Sequence, residues 1–144
     1  MATIDADAHV LEQPRTWAFM EENEKHYTPM IVTPISGQDE FGPAGNVLKE
    51  YWVVDGRLHQ KQSNMDLNTS VEAREFHGVK SRLDHMDDLK IDVQVLYPTL
   101  FLRPYTTNVD VEYAMCRSYN RWLAEIWKQA PDRFFWVVCP PLLS

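Results

Sequence analysis

Cysteine, glycine and positive charge are all scarce in this 144-residue chain. Its two cysteines, Cys116 and Cys139, provide no disulfide framework and no CxxC spacing. None of the five glycines belongs to a Gly-rich phosphate loop. With 14 Lys+Arg against 21 Asp+Glu the net charge is -7, opposite in sign to that of a phosphate-tracking nucleic-acid binder. The longest apolar run, Phe134 to Leu143, is interrupted by two prolines and is shorter than the roughly 20 residues a membrane span takes. The opening Met1-Ala2-Thr3-Ile4-Asp5 lacks the basic region and apolar stretch of a signal peptide. No internal repeat or low-complexity tract occurs. These absences set the expectation of a soluble, cytoplasmic protein with no nucleic-acid or membrane partner. What is present, 44% hydrophobic and 24% charged residues, is a globular composition sized for one ordinary domain or a piece of a larger one.

Along the chain the hydrophobic period changes. In residues 2–10, Ile4, Ala6, Ala8 and Val10 alternate with Asp5, Asp7 and His9. Period two predicts a strand with the three ionisable groups on one face. Residues 11–78 hold four of the nine prolines and all five glycines, without a sustained helical period. Within them, Tyr51-Trp52-Val53-Val54, Asp55-Gly56 and Arg57-Leu58-His59 form a strong hairpin signal, because both turn residues must tolerate positive φ. Residues 18–26 suit a short helix. The whole stretch is expected to be a long excursion, not a second domain.

From Val79 the pattern becomes regular. Val79, Leu83, Met86 and Leu89 predict an amphipathic helix over 79–90. Residues 92–100 predict a strand buried on both faces or nearly so. Val111, Met115, Tyr119, Trp122, Ile126 and Ala130 mark one stripe of a helix over 108–130, widened by Leu123, capped by Asn108 or Asp110 and stopped by Pro131. Residues 133–139 predict a third strand, ended by Pro140-Pro141. Strands alternating with helices argue for parallel β-α-β units, so the helix-strand-helix-strand part spans 79–139.

Asp7-Ala8-His9 sits near the C-terminal end of the first strand, where sites form in β/α folds. A carboxylate and an imidazole two apart on a strand point the same way and can share one divalent cation. Such a spacing also occurs by chance on a polar strand face that meets solvent. Asp5-x-Asp7 does not fit the nucleophile loop of haloacid-type phosphatases, since only Ala2, Thr3 and Ile4 precede Asp5 and His9 stands where Thr or Val usually follows. No Ser or Cys has a recognisable nucleophile context.

Ile4-Asp5-Ala6-Asp7-Ala8-His9-Val10-Leu11-Glu12-Gln13-Pro14, with Trp17 after it, resembles the opening of the amidohydrolase-2 family, the aminocarboxymuconate-semialdehyde decarboxylase-like metal-dependent hydrolases. Residues 82–99, from Arg82-Leu83-Asp84-His85 to Tyr97-Pro98-Thr99, are similar to its first helix and second strand. Tyr119-Asn120-Arg121-Trp122-Leu123-Ala124-Glu125 and Pro131-Asp132-Arg133-Phe134 are similar to its second helix and third strand. The resemblance implies an α/β fold, a (β/α)8 TIM barrel, with one catalytic divalent metal, zinc or else manganese. The family's first-strand motif is usually His-x-His, sometimes Glu-x-His; here Asp7-x-His9 stands in its place, which makes Asp7 and His9 the expected metal ligands. A barrel takes about 250 residues, so 1–144 is expected to be its N-terminal portion, about three β/α units with a hairpin insertion after strand 1. The family's further ligands have no counterpart, because His26, His59, His77 and His85 all precede the second strand.

Other residues carry weaker expectations. Arg103 can bind a substrate carboxylate bidentately or simply face water. Tyr97 and Thr99 lie at the same strand end and can line the pocket. Glu12 can orient a metal ligand or cap the next segment. Asn120 is expected to bond a loop backbone, Cys139 to act as a small buried hydrophobe, His85 to lie on a solvated acidic face, and Trp52, Trp122, Trp127 and Trp136 to sit in a core or interface. The functional expectation is the N-terminal part of a metal-dependent enzyme that hydrolyses, or non-oxidatively decarboxylates, a small carboxylated or cyclic substrate. The alternative is a non-catalytic structural or assembly chain. Either way a homo-oligomer, or a complementary chain carrying the rest of the barrel, is the expected partner.

Overall fold

The alternating residues at the start fold as β1 (Ile4–His9), and the chain then turns through two 3-10 segments, Pro14–Phe19 and Glu22–Tyr27, into β2 (Met30–Val32). The structure, a computed structural model, describes residues 1–33, 50–61 and 69–143. The remainder of the excursion, 34–49 and 62–68, lies outside the described residues. The helix expected over 18–26 is split because side chains close its turns locally. Gln13 N–H donates to Thr16 Oγ1 and Glu21 N–H to Glu24 Oε2, which competes with a continuous helical ladder.

The hairpin forms as its turn chemistry dictates. β3 (Tyr51–Val54) and β4 (Arg57–Gln60) pair antiparallel, and Asp55 and Gly56 adopt φ of 48° and 72°. β2 adds to β3, giving a three-stranded sheet of order β2-β3-β4 instead of an isolated hairpin. A three-residue strand has no readable period, so this third strand was not legible in the sequence.

After α1 (Val71–Arg74), whose first turn Ser70 caps, come α2 (Val79–Asp88), β5 (Val93–Tyr97), α3 (Val109–Trp127) and β6 (Phe134–Trp136). β1, β5 and β6 form a parallel sheet in that order. Asn108, and not Asp110, caps α3 by accepting from the N–H groups of Asp110 and Val111. β6 is shorter than expected. Asn120 grips both backbone groups of Cys139, its amide donating to the carbonyl at 2.8 Å and its oxygen accepting the N–H at 3.0 Å. Glu112 accepts the N–H groups of Leu142 and Leu143. Both clamps draw the chain toward α3, so the ladder ends one bond beyond Trp136.

Two apolar clusters share α3. Tyr119, Trp122, Leu123 and Ile126 pack with Met86 and Phe76 against Ala8, Val10, Leu96 and Phe134 of the parallel sheet. Val111 and Met115, one or two turns earlier, pack with Trp17, Met20 and Leu100 against Trp52 and Val54 of the antiparallel sheet. Each such side chain contributes about 1.5–3 kcal/mol by leaving water. β5 is covered on one face only. Gln94 and Leu96 are buried beneath the helices, while Val93, Val95 and Tyr97 on the other face are half-exposed, and Phe135 beside them is 51% exposed. The expectation of burial on both faces is therefore corrected: the described helices pack against one side of the sheet. Trp127 also lies partly in water, its ring 6.1 Å from that of Trp136 and tilted to it by 54°. No helix among the described residues is long and apolar enough to cross a membrane.

The Asn120 clamp is open to test. Replacing Asn120 by Ala leaves the N–H and C=O of Cys139 without their partner, and is expected to cost about 1–3 kcal/mol in urea-induced unfolding. An unchanged midpoint would remove the clamp as the cause of the early end of β6.

Candidate functional site

β1 carries a bulge that decides which acids meet His9. Asp5 lies opposite Gln94 and Ala8 opposite Leu96, so Ala6 and Asp7 of β1 face the single Val95 of β5. The extra residue reverses the alternation. Asp5 turns to the buried Gln94, accepting from its amide at 2.9 Å. Asp7 and His9 stay together, with His9 Nε2 3.5 Å from Asp7 Oδ1. The expectation that Asp5, Asp7 and His9 share one face is corrected on this ground, and the carboxylate beside the imidazole is Asp7 alone.

The tautomer of His9 follows from its other nitrogen. Nδ1 lies 3.0 Å from the carbonyl of Pro98, which can only accept, so Nδ1 carries the proton. Nε2 is then the nitrogen that faces the carboxylate, and the pair can hold a cation between them. Among the described residues no group of three His, Cys, Asp or Glu side chains comes together as a metal cluster.

Buried polar residues hold this strand end in place. Glu12 is 1% exposed, and its two oxygens accept the N–H groups of Thr99 and Leu100 at 3.0 and 3.1 Å. Loss of water pushes its carboxyl up to about 7, against the opposing pull of the backbone donors, its own and those of Leu100 and Thr99. Thr99 donates its hydroxyl to the carbonyl of Val10 at 2.7 Å. Glu12 thus joins the ends of β1 and β5 and bears on His9 through the loop that carries Pro98. Arg82 works from the other side. Its guanidinium is 4% exposed, bonds Gln94 Oε1 at 2.7 Å and the carbonyl of His9 at 3.3 Å, and lies over Phe76. Burial brings its pKa down to about 10, opposed by Asp5.

The remaining expected residues spread around the same end of the sheet. The ring of Tyr97 lies 6.0 Å from that of His9. Asp7, His9, Thr99, Arg82 and Arg74 line a cavity of about 260 Å3. Tyr97 and Arg103 line another of about 470 Å3, with Phe101, Tyr105, Cys116 and Cys139. Arg103 is exposed at its rim. Burial pushes the thiol of Cys116 up and that of Cys139 to about 12, so neither is a nucleophile near neutral pH. His85 is not on the solvated face with Asp84, Asp87 and Asp88. It is half-buried, borders the cavity of Asp7, and its Nε2 lies 3.4 Å from Thr69 Oγ1. Arg82 was legible in part, since it stands between Val79 and Met86 on the apolar stripe of α2.

No protein-family model and no curated protein matches the chain. Among solved structures it is similar to an amidohydrolase from Mycobacterium avium subspecies paratuberculosis K-10, with a TM-score of 0.64 at 13% identity. The match covers 95% of this chain and 41% of that one, so the chain spans less than half the length of the structure it resembles. The likeness is one of fold.

Glu12 predicts a pH signature. A carboxyl whose pKa is raised on folding contributes stability that is fully present below its unfolded value, here 4.5, and is lost as pH rises through about 7. Unfolding free energies from urea titrations are expected to fall between about pH 5 and about pH 8, by on the order of 2–3 kcal/mol, and Glu12→Gln is expected to flatten that slope. An identical slope in the variant would remove Glu12 as its source.

Proposed function

We propose that this chain is the N-terminal part of a metal-dependent enzyme of amidohydrolase type, acting by hydrolysis or non-oxidative decarboxylation on a small carboxylated or cyclic substrate. The observation that carries this reading is the Asp7–His9 pair at the C-terminal end of a parallel strand, with the imidazole fixed in the tautomer a metal ligand needs. Two features support it. The parallel strands succeed one another in chain order, as they do around a (β/α)8 barrel. The fold is also similar to 41% of a solved amidohydrolase.

The donor set fits part of a metal site. One imidazole nitrogen and one carboxylate oxygen suit zinc or manganese, and further ligands would come from outside the described residues. A bound divalent ion supplies a lowered pKa to coordinated water, or polarises a substrate carboxylate. The chain's own groups do the rest. His9 Nε2 and Asp7 Oδ1 hold two positions, Pro98 fixes the ring, Glu12 holds the strand ends in register, and Arg103 and Tyr97 receive substrate at the rim of the larger cavity.

The same geometry implies a partner. Among the described residues β1 and β6 each pair on one side only, and a closed barrel has no such edges. The missing strands would be supplied by a longer polypeptide or by a complementary chain, with self-association as the remaining route. A non-catalytic assembly role is the second reading, since among the described residues only Asp7 and His9 come together. Sedimentation equilibrium at micromolar concentration is expected to show assemblies larger than 16.9 kDa. A single species of that mass with cooperative unfolding would discard the open-barrel picture.

Metal and turnover separate the two readings. The 144-residue chain is expected to hold zinc weakly after dialysis, and His9→Ala or Asp7→Asn to abolish what binds. Stoichiometric metal that survives His9→Ala would sink the assignment. Turnover is expected only when the remaining strands are supplied. Vigorous metal-dependent catalysis by the chain alone would overturn the incomplete site, and its persistent absence in the completed assembly would favour the non-catalytic role.

A further inference from the structure

The antiparallel hairpin reaches the end of β5 and encloses a separate cavity there. Thr106 Oγ1 donates to Asp55 Oδ2 at 2.8 Å, which pins the hairpin turn to the loop that carries Arg103. The Asp55-Gly56 turn sets the register so that His59 lies opposite Trp52, a side chain locked in the core at 1% exposure. The position of His59 is therefore imposed by packing. The resulting cavity, about 140 Å3, is lined by Leu58, His59, Gln60, Thr99, Leu100 and Arg103. A water occupies about 30 Å3 of liquid, so there is room for a carboxylate or phosphate group.

The chemistry of the lining is one-sided. It offers a guanidinium, an imidazole and an amide, and no carboxylate among the described residues. Nε2 of His59 is shielded from water and has no hydrogen-bond partner among the described residues. Burial lowers the pKa of this imidazole, the Tyr105 backbone pulls the other way, and Arg57 adds to the lowering.

We propose that this cavity is an anion subsite, in which Arg103 grips the oxygens of one carboxylate or phosphate group and the His59 ring borders them. The guanidinium provides the charge-assisted, two-pronged bond, and the His59 ring lines the same cavity, where its protonated form adds positive charge. Thr99 borders both this cavity and the one that holds Asp7 and His9. If those two residues are the reaction centre, as proposed above, an anion held here anchors the non-reacting end of the substrate. The subsite itself does not depend on a metal.

The test follows the ring signals of His59 by NMR in the full chain during titration with inorganic phosphate and, separately, with benzoate. A saturable shift at millimolar concentration is expected, together with a rise in the His59 pKa, since an anion favours the imidazolium. Arg103→Gln, an exposed position whose fold is checked by circular dichroism, is expected to weaken binding by about tenfold, and His59→Gln to weaken it several-fold. Asp7→Asn is expected to leave it unchanged, which separates this subsite from the metal centre. Saturation by phosphate alone assigns the subsite to a free inorganic anion, and saturation by benzoate assigns it to a substrate carboxylate. No saturable shift with either anion, or undiminished affinity in a folded Arg103→Gln chain, overturns the proposal.

Discussion

The Glu12 carboxylate accepts the backbone N–H groups of Thr99 and Leu100 from a position closed to water, and the two strand ends that carry Asp7, His9, Tyr97 and Thr99 keep the separation this bridge sets. Around it the same join is repeated by weaker bonds. Val10 N–H reaches the carbonyl of Tyr97, and the hydroxyl of Thr99 returns to the carbonyl of Val10. His9 finds Pro98 only because these bonds bring the 97–99 segment alongside β1. The arrangement has an energetic tension. Two backbone donors favour the ionised carboxylate, burial disfavours it, and burial prevails, leaving a group poised near neutrality.

Arg82 holds the opposite side at a similar cost. A guanidinium almost without water keeps its charge through Gln94, the carbonyls of His9 and Ala73, and the more distant Asp5. Its relay through Gln94 explains why Asp5 belongs to the scaffold and not to the pair with His9. The bulge in β1 makes this division possible. Without the extra residue, three acids and bases would line one face, and Arg82 would lose the charge that offsets its burial.

The elements with a strong local cause were legible. The α3 stripe from Val111 to Ile126 is buried along its length, and Asp55-Gly56 makes the turn its φ values require. Asn120 bonds a loop backbone as its place in that stripe suggested. The elements set by distant partners were not. β2 has only three residues, β6 is stopped by side chains of α3 far away in sequence, and His85 is drawn from the acidic face of α2 toward Thr69.

The sequence by itself determined the alternation of strands and helices, the hairpin and the adjacency of Asp7 and His9, because each depends on period, turn stereochemistry or a spacing of two. Only the tertiary structure decided which acid faces His9, which of its nitrogens is protonated, and that His59 comes to lie beside Arg103. Those outcomes depend on a strand register, a proline carbonyl 89 residues away and a hairpin pinned through Asp55 to Thr106. No local pattern encodes them, since each arises where two segments remote in the chain compete for the same hydrogen-bonding groups or the same space.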